Sequence, residues 1–142
     1  MTQIFAFLLP LIFAYTMNQN TETIAIKSIL HKQQIAWNSG DIDAFMQGYW
    51  NSEDLEFSSE NGITKGWNNT RNRYKNAYPT PEKMGKLYFT LANVNFTNDS
   101  IATLNGKWEL SRKNDNPKGS FRLTFKKFDN NWLIIKDSTT SE

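Results

Sequence analysis

The sequence contains no cysteine and a single histidine, His31. The first absence removes disulfides, thiolate nucleophiles, iron–sulfur clusters and zinc–thiolate sites. The second removes any metal centre built from several imidazoles. A carboxylate calcium or magnesium site would need a loop of closely spaced Asp, Asn and Gly residues, and none occurs, so no metal and no cofactor is expected. A dominant charge is also lacking. Sixteen basic residues stand against 14 acidic ones for a net charge of +2, too little for a phosphate-tracking surface, and nucleic acid is not an expected partner. Long apolar runs are limited to one, Ile4 to Met17 (IFAFLLPLIFAYTM), which Pro10 and Thr16 interrupt. It is shorter than the roughly 20 residues of a spanning helix, so no stable membrane anchor is expected.

What is abundant is aromatic. Five Trp, five Tyr and ten Phe stand among 142 residues, so large rings must supply much of the buried area, and rings can also line a pocket. The length fits one domain around one core. The apolar run is followed at once by Asn18-Gln19-Asn20-Thr21-Glu22, the pattern of a signal-peptide core and its exit. Residues 1–20 therefore read as a signal peptide and residues 21–142 as the domain, exported to a periplasm or secreted. No Lys or Arg precedes the run, Ala14 and Thr16 are only fair cleavage-site residues, and no Cys offers a lipid attachment point.

From Thr21 to Ser39 the apolar residues Ile26, Ile29, Leu30, Ala36 and Trp37 fall at helical spacing, and Gly40 stops the helix. Asp41 is placed to cap a second short helix carrying Ile42, Phe45, Met46 and Tyr49. Leu55 to Ser58 reads as a brief strand, and Gly62 and Gly66 bracket a turn-rich stretch. A third helical pattern, Trp67, Thr70, Tyr74, Ala77 and Tyr78, ends at Pro79 and Pro81. After Gly85 the period changes to two. Leu87, Phe89 and Leu91 share one parity and Val94 and Phe96 the other, which predicts a β-bulge that curves the sheet. Further strands are expected at Ile101 to Arg112, Ser120 to Phe128 and Trp132 to Asp137. The fold class is α+β: three N-terminal helices packed on a strongly curved antiparallel sheet, forming a cone with a hollow.

The residues Trp37-Asn38-Ser39-Gly40-Asp41 with Phe45 and Tyr49, the stretches Gly62 to Gly66, Tyr74 to Pro79, Gly106 to Leu110 and Phe121 to Lys127, and the closing Trp132 to Asp137 together resemble the nuclear transport factor 2-like superfamily, within it the SnoaL-like branch. The resemblance spans nearly everything after residue 21. It implies a cystatin-like α+β barrel with a pocket between helices and sheet, frequent homodimers through the exposed sheet face, and divergent functions, since fold alone assigns none. Much of the branch ends in D-H-S/T-S, where this chain has Asp137-Ser138-Thr139-Thr140. The missing histidine removes the easiest general base near neutral pH.

Asp137 is the leading candidate acid–base group: in an apolar pocket, desolvation would raise its pKa toward neutrality, while in solvent it would be an ordinary or turn-capping carboxylate. A Tyr donor facing an Asp is the arrangement that isomerases of this fold use on an enolate, which makes Tyr74 or Tyr49 its candidate catalytic partner. Trp37, Tyr49, Phe57, Tyr74, Tyr78 and Trp108 are the expected pocket walls or core. Arg122 is either an anchor for a ligand carboxylate or a surface residue. His31 reads as exposed or partly buried and without chemistry, Asp41 and Asp43 look like paired carboxylates although Asp41 is better explained as the helix cap, and Lys113, Lys118, Lys126 and Lys127 read as a solvated strand edge. The sequons at Asn68, Asn95 and Asn98 matter only in a glycosylating pathway. Three functions follow: a small, largely apolar molecule bound in the cone; a cofactor-free isomerase, dehydratase or hydrolase using Asp137 and a Tyr; or an interaction and dimerisation module whose cone is filled by its own side chains.

Overall fold

The structure is a computed structural model that describes the backbone of residues 5–142 and the side chains of residues 11–142. Residues 1–4 of the expected signal peptide lie outside the described residues. The first helix, α1, spans Phe5–Asn38, beginning well before the expected Thr21. Between Leu11 and Ser39 the chain has no Gly or Pro, so nothing in the polar stretch from Asn18 to Glu22 interrupts the backbone ladder. Among the described residues, no helix is long and apolar enough to cross a membrane. Gly40 adopts a φ of 75°, the left-handed conformation that closes a helix C-terminus at little cost for glycine, and Asp41 N–H donates to Ala36 O at 2.9 Å. Asp41 then caps α2 (Ile42–Phe45) by accepting from Ala44 N–H at 2.9 Å. A 3₁₀ turn, Met46–Gly48, extends it.

Two short strands follow, β1 (Glu56–Ser59) and β2 (Gly62–Lys65). The stretch bracketed by Gly62 and Gly66 is thus the second arm of a hairpin, not a turn region. The helices α3 (Trp67–Ala77) and α4 (Pro81–Met84) lead into four strands of 11 residues each: β3 (Lys86–Phe96), β4 (Ile101–Ser111), β5 (Lys118–Phe128) and β6 (Asn131–Ser141). The sheet order is β2-β1-β6-β5-β4-β3. Its β3–β6 meander is antiparallel as expected. The pairing of β1 with β6 is parallel, which the long intervening connection permits, so the sheet is mixed. It curves without closing, and β2 and β3 form its two edges.

The predicted bulge in β3 is present: Leu91 pairs with Gly106 and Val94 with Leu104, leaving one extra residue on β3. A second bulge was not legible beforehand. Thr124 pairs with Lys136 and Phe125 with Ile134, so Ile135 has no partner in β5. Its consequence is a change of parity along β6. Trp132 and Ile134 are buried before the bulge, and Asp137 is buried after it.

The core lies between α1 and the concave sheet face, with Ile26, Leu30, Met46, Leu104, Phe125 and Ile134 almost fully buried. Trp37 anchors the helical layer, donating from Nε1 to Met84 O at 3.0 Å. At the other end of α1, Glu22 accepts from Lys127 Nζ at 2.6 Å and from Trp132 Nε1. The expected lysine edge is therefore corrected: β5 is interior to the sheet, and Lys127 is a partly buried ion-pair partner.

Candidate functional site

The alternation of β5 and β6 decides which side chains enter the cone. Phe121, Leu123 and Phe125 of β5 point inward and are buried. Across from Leu123, in register, stands Asp137, 5% exposed. On the helical side, Tyr49 follows the 3₁₀ turn and forms an isolated parallel bridge with Ile134, while Trp50 N–H donates to Ile134 O at 2.9 Å. This tie fixes Tyr49 beside the β6 bulge. Tyr74 arrives from α3, and Phe57 from β1, where it pairs in register with Asp137.

These elements surround a cavity of about 280 Å³. Its floor is apolar, formed by Leu30, Trp37, Phe45, Leu87, Phe89 and Leu110, and its rim is polar, formed by Ser59, Glu60, Asn61, Arg73, Thr139 and Ser141. Tyr74 is the hub of the aromatic wall. Its ring centroid lies 6.0 Å from Trp37, 5.2 Å from Phe45, 5.7 Å from Phe57 and 6.4 Å from Tyr78. The first three contacts are edge-to-face, the arrangement that aromatic quadrupoles favour.

Tyr49 Oη donates to Asp137 Oδ2 at 2.7 Å, and the hydroxyls of Tyr49 and Tyr74 are 3.2 Å apart. A phenol has one proton to give. With that of Tyr49 directed at the carboxylate, Tyr74 must be the donor of the second bond, and the chain runs Tyr74 to Tyr49 to Asp137. The other carboxylate oxygen, Oδ1, is buried with no hydrogen-bond partner among the described residues. Burial raises the Asp137 pKa to about 6, against the opposing pull of the Tyr49 hydrogen bond and the Arg73 charge. Burial, with the neighbouring Asp137 charge, pushes Tyr49 and Tyr74 well above the usual phenol value, so both stay protonated donors. Asp137 can therefore change charge near neutral pH and hold or receive a proton at Oδ1.

Among solved structures, the chain is similar to an NTF-2-like protein of unknown function from Shewanella oneidensis, at 39% identity and a TM-score of 0.81 over 84% of this chain and 98% of that one. The chain belongs to the NTF2-like superfamily. A cystatin-like domain of unknown function from Nostoc punctiforme (22% identity, TM-score 0.70, covering 83% and 75%) and a ketosteroid isomerase-like protein from Erwinia carotovora atroseptica (16%, 0.70, covering 86% and 97%) share the fold. No family model and no curated protein matches the sequence.

In this NTF2-like cone all six expected aromatics, Trp37, Tyr49, Phe57, Tyr74, Tyr78 and Trp108, line the cavity with Asp137. Three expectations are corrected. Arg122 alternates with the inward Phe121 and Leu123, is exposed, and lies on the opposite face of the sheet, so it does not line the cone. Tyr74 does not hydrogen-bond Asp137; Tyr49 does, because the bridge to Ile134 brings Tyr49 alongside β6. β6 also continues to Ser141, which places Asp137 within the strand and not at its end. His31 is exposed, as expected. Asp43 is held by Arg71 Nε at 2.5 Å and Lys75 Nζ at 3.0 Å, away from any paired-carboxylate chemistry. Sequence reasoning missed Arg73. Its guanidinium lies 4.4 Å from the Phe57 ring centroid and Nη2 donates to Ser59 Oγ at 3.1 Å. Its place beside Tyr74 in the third helical pattern was the signal that could have found it.

Proposed function

We propose that the cone binds a small, largely apolar molecule and that Asp137 moves a proton on it, as general base and then general acid in an isomerisation or a dehydration. One observation carries the reading: a buried carboxylate with one oxygen fixed by Tyr49 and the other unpartnered in the cavity wall. An unpaired buried acceptor is costly, and a ligand proton placed against it would offset that cost. The ketosteroid isomerase-like neighbour adds fold-level support only. In this reading the Tyr49 proton serves the carboxylate and is not free for a substrate oxyanion. Tyr78, whose hydroxyl makes no hydrogen bond among the described residues, is the donor assigned to that task.

The open cavity favours this over a self-filled interaction module. The test is deuterium incorporation from heavy water into small ketones and enones, together with loss of water from β-hydroxy ketones, followed by proton NMR with the wild type and Asp137→Asn. Turnover that vanishes in the variant supports the proposal. Probe binding in the cone with neither exchange nor water loss replaces it with the binding-only reading.

A further inference from the structure

We propose that the ligand of the cone is an anion: a small apolar carboxylic acid whose carboxylate sits at Arg73 and whose apolar body extends inward past the aromatic wall toward Asp137. This rests on the reading of the cone as a ligand site and names the class of molecule it takes.

Arg73 differs from its neighbours in how its charge is met. Arg71 and Arg112 are ion-paired, with Asp43 and Asp115. Arg73 lines the cavity, half-buried, and has no carboxylate within salt-bridge distance among the described residues. Its partners are the face of Phe57 at 4.4 Å and one hydroxyl, Ser59 Oγ at 3.1 Å. A guanidinium carries five N–H donors in a planar fork, so this one retains free donors and has no direct ion-pair partner among the described residues, although its charge is felt at Asp137 and Glu60. The Phe57 ring beneath it and the Ser59 bond restrict its rotation, which lowers the entropy cost of a bidentate contact with a carboxylate.

The strand register sets the distance to the other end of the ligand. Phe57 pairs with Asp137 in the parallel β1–β6 ladder. Ser59, the anchor of Arg73, lies two residues further along β1 on the same face, about 7 Å at the usual strand rise. The two ends are electrostatically opposite, which fixes the orientation of the ligand. An anion is attracted to Arg73 and repelled by Asp137, so the inner end must present a neutral group with a proton to share. Glu60 also lines the rim and opposes an anion. It accepts from Ser141 N–H at 3.1 Å and is exposed, where water screens it more strongly than the half-buried Arg73.

Matched probes read the charge alone. The full chain, as wild type, Arg73→Gln, Arg73→Lys and Glu60→Gln, is titrated by two-dimensional NMR with phenylalkanoates of increasing chain length and with the corresponding amides. The expected result for wild type is carboxylate binding about tenfold tighter than amide binding, the size of one charge-assisted contact. Arg73→Gln abolishes the preference without weakening the amide, Arg73→Lys restores part of it, and Glu60→Gln strengthens carboxylate binding. Equal affinity for acid and amide in the wild type overturns the anionic assignment and leaves the ligand site standing. So does equal weakening of both by Arg73→Gln. Absence of shifts in cone resonances with every probe overturns the ligand-site reading as well.

Discussion

Tyr49 and Asp137, 88 residues apart in sequence, share a 2.7 Å hydrogen bond in which the phenol donates to Oδ2 of a buried carboxylate. That bond favours the charged form of Asp137, while burial favours the neutral form and prevails, leaving the group at about 6. The balance between these two effects gives the site its acid–base character.

Removing the two hydroxyls separately tests the order of the chain. Tyr49→Phe deletes the direct donor and raises the Asp137 pKa further. Tyr74→Phe deletes a donor to Tyr49 and produces a smaller rise. Carboxyl-carbon NMR titration of Asp137 in the three proteins measures both shifts. A larger shift in Tyr74→Phe contradicts the assigned order.

Stability should fall as pH rises through the titration of Asp137. The folded protein holds this proton up to about pH 6, whereas the ordinary value is 3.8. Between those values the folded state binds more protons than the unfolded one, so raising the pH destabilises it. The difference amounts to about 3 kcal/mol. Asp137→Asn is therefore expected to be more stable than wild type at pH 7.5, with the gain shrinking toward pH 4. Urea denaturation at several pH values checks it.

Glu22 behaves in the opposite sense. Hydrogen bonding from Lys127 holds its pKa below the usual value of 4.5, aided by Trp132 and opposed by burial. Its contribution is present above about pH 4.5 and is lost as pH falls through the lower folded value. Glu22→Gln should cost about 1–2 kcal/mol at neutral pH and progressively less in acid. A chain starting at Thr23 should show a comparable loss, measurable as a lower Tm than that of a chain starting at Thr21.

Arg122 and Trp37 provide a contrast between the outer face and the cone. Arg122→Ala should change stability by less than about 0.5 kcal/mol and leave probe binding unaltered. Trp37→Ala empties a buried ring site and removes the bond to Met84 O, with an expected loss of about 3–5 kcal/mol. Urea denaturation and probe titration of the two variants separate the roles.

Much of the fold was legible because its signals are local. Gly40 and Asp41 mark a helix end and a helix start through backbone conformation and capping, and both are as expected. The parity slip between Leu91 and Val94 announced the β3 bulge, since strand alternation is a property of neighbouring residues. The six aromatics were expected at the cone because large rings at helix and strand periods must meet somewhere inside. The lack of Cys and the lone His likewise excluded whole chemistries without any coordinates.

Other features depended on contacts between distant segments. The parallel docking of β1 against β6 sets Phe57 level with Asp137, and no local pattern encodes a pairing across some 80 residues. Ile135 is apolar and fits an ordinary strand; only the register against β5 reveals it as the extra residue that changes the parity of β6 and allows Asp137 to face inward. Arg122 and Arg73 look alike in sequence, yet strand alternation sends the first to the outer face while α3 brings the second over Phe57. Composition and periodicity thus determined the main helical stripes, the curved meander and its aromatic interior, though not the start of α1, the strand β2 or the helix α4, because the former follow from each residue's own backbone and hydropathy. The Tyr49–Asp137 pair and the charge of Arg73 at the rim were decided by tertiary packing, because desolvation and hydrogen bonding exist only once the segments have met.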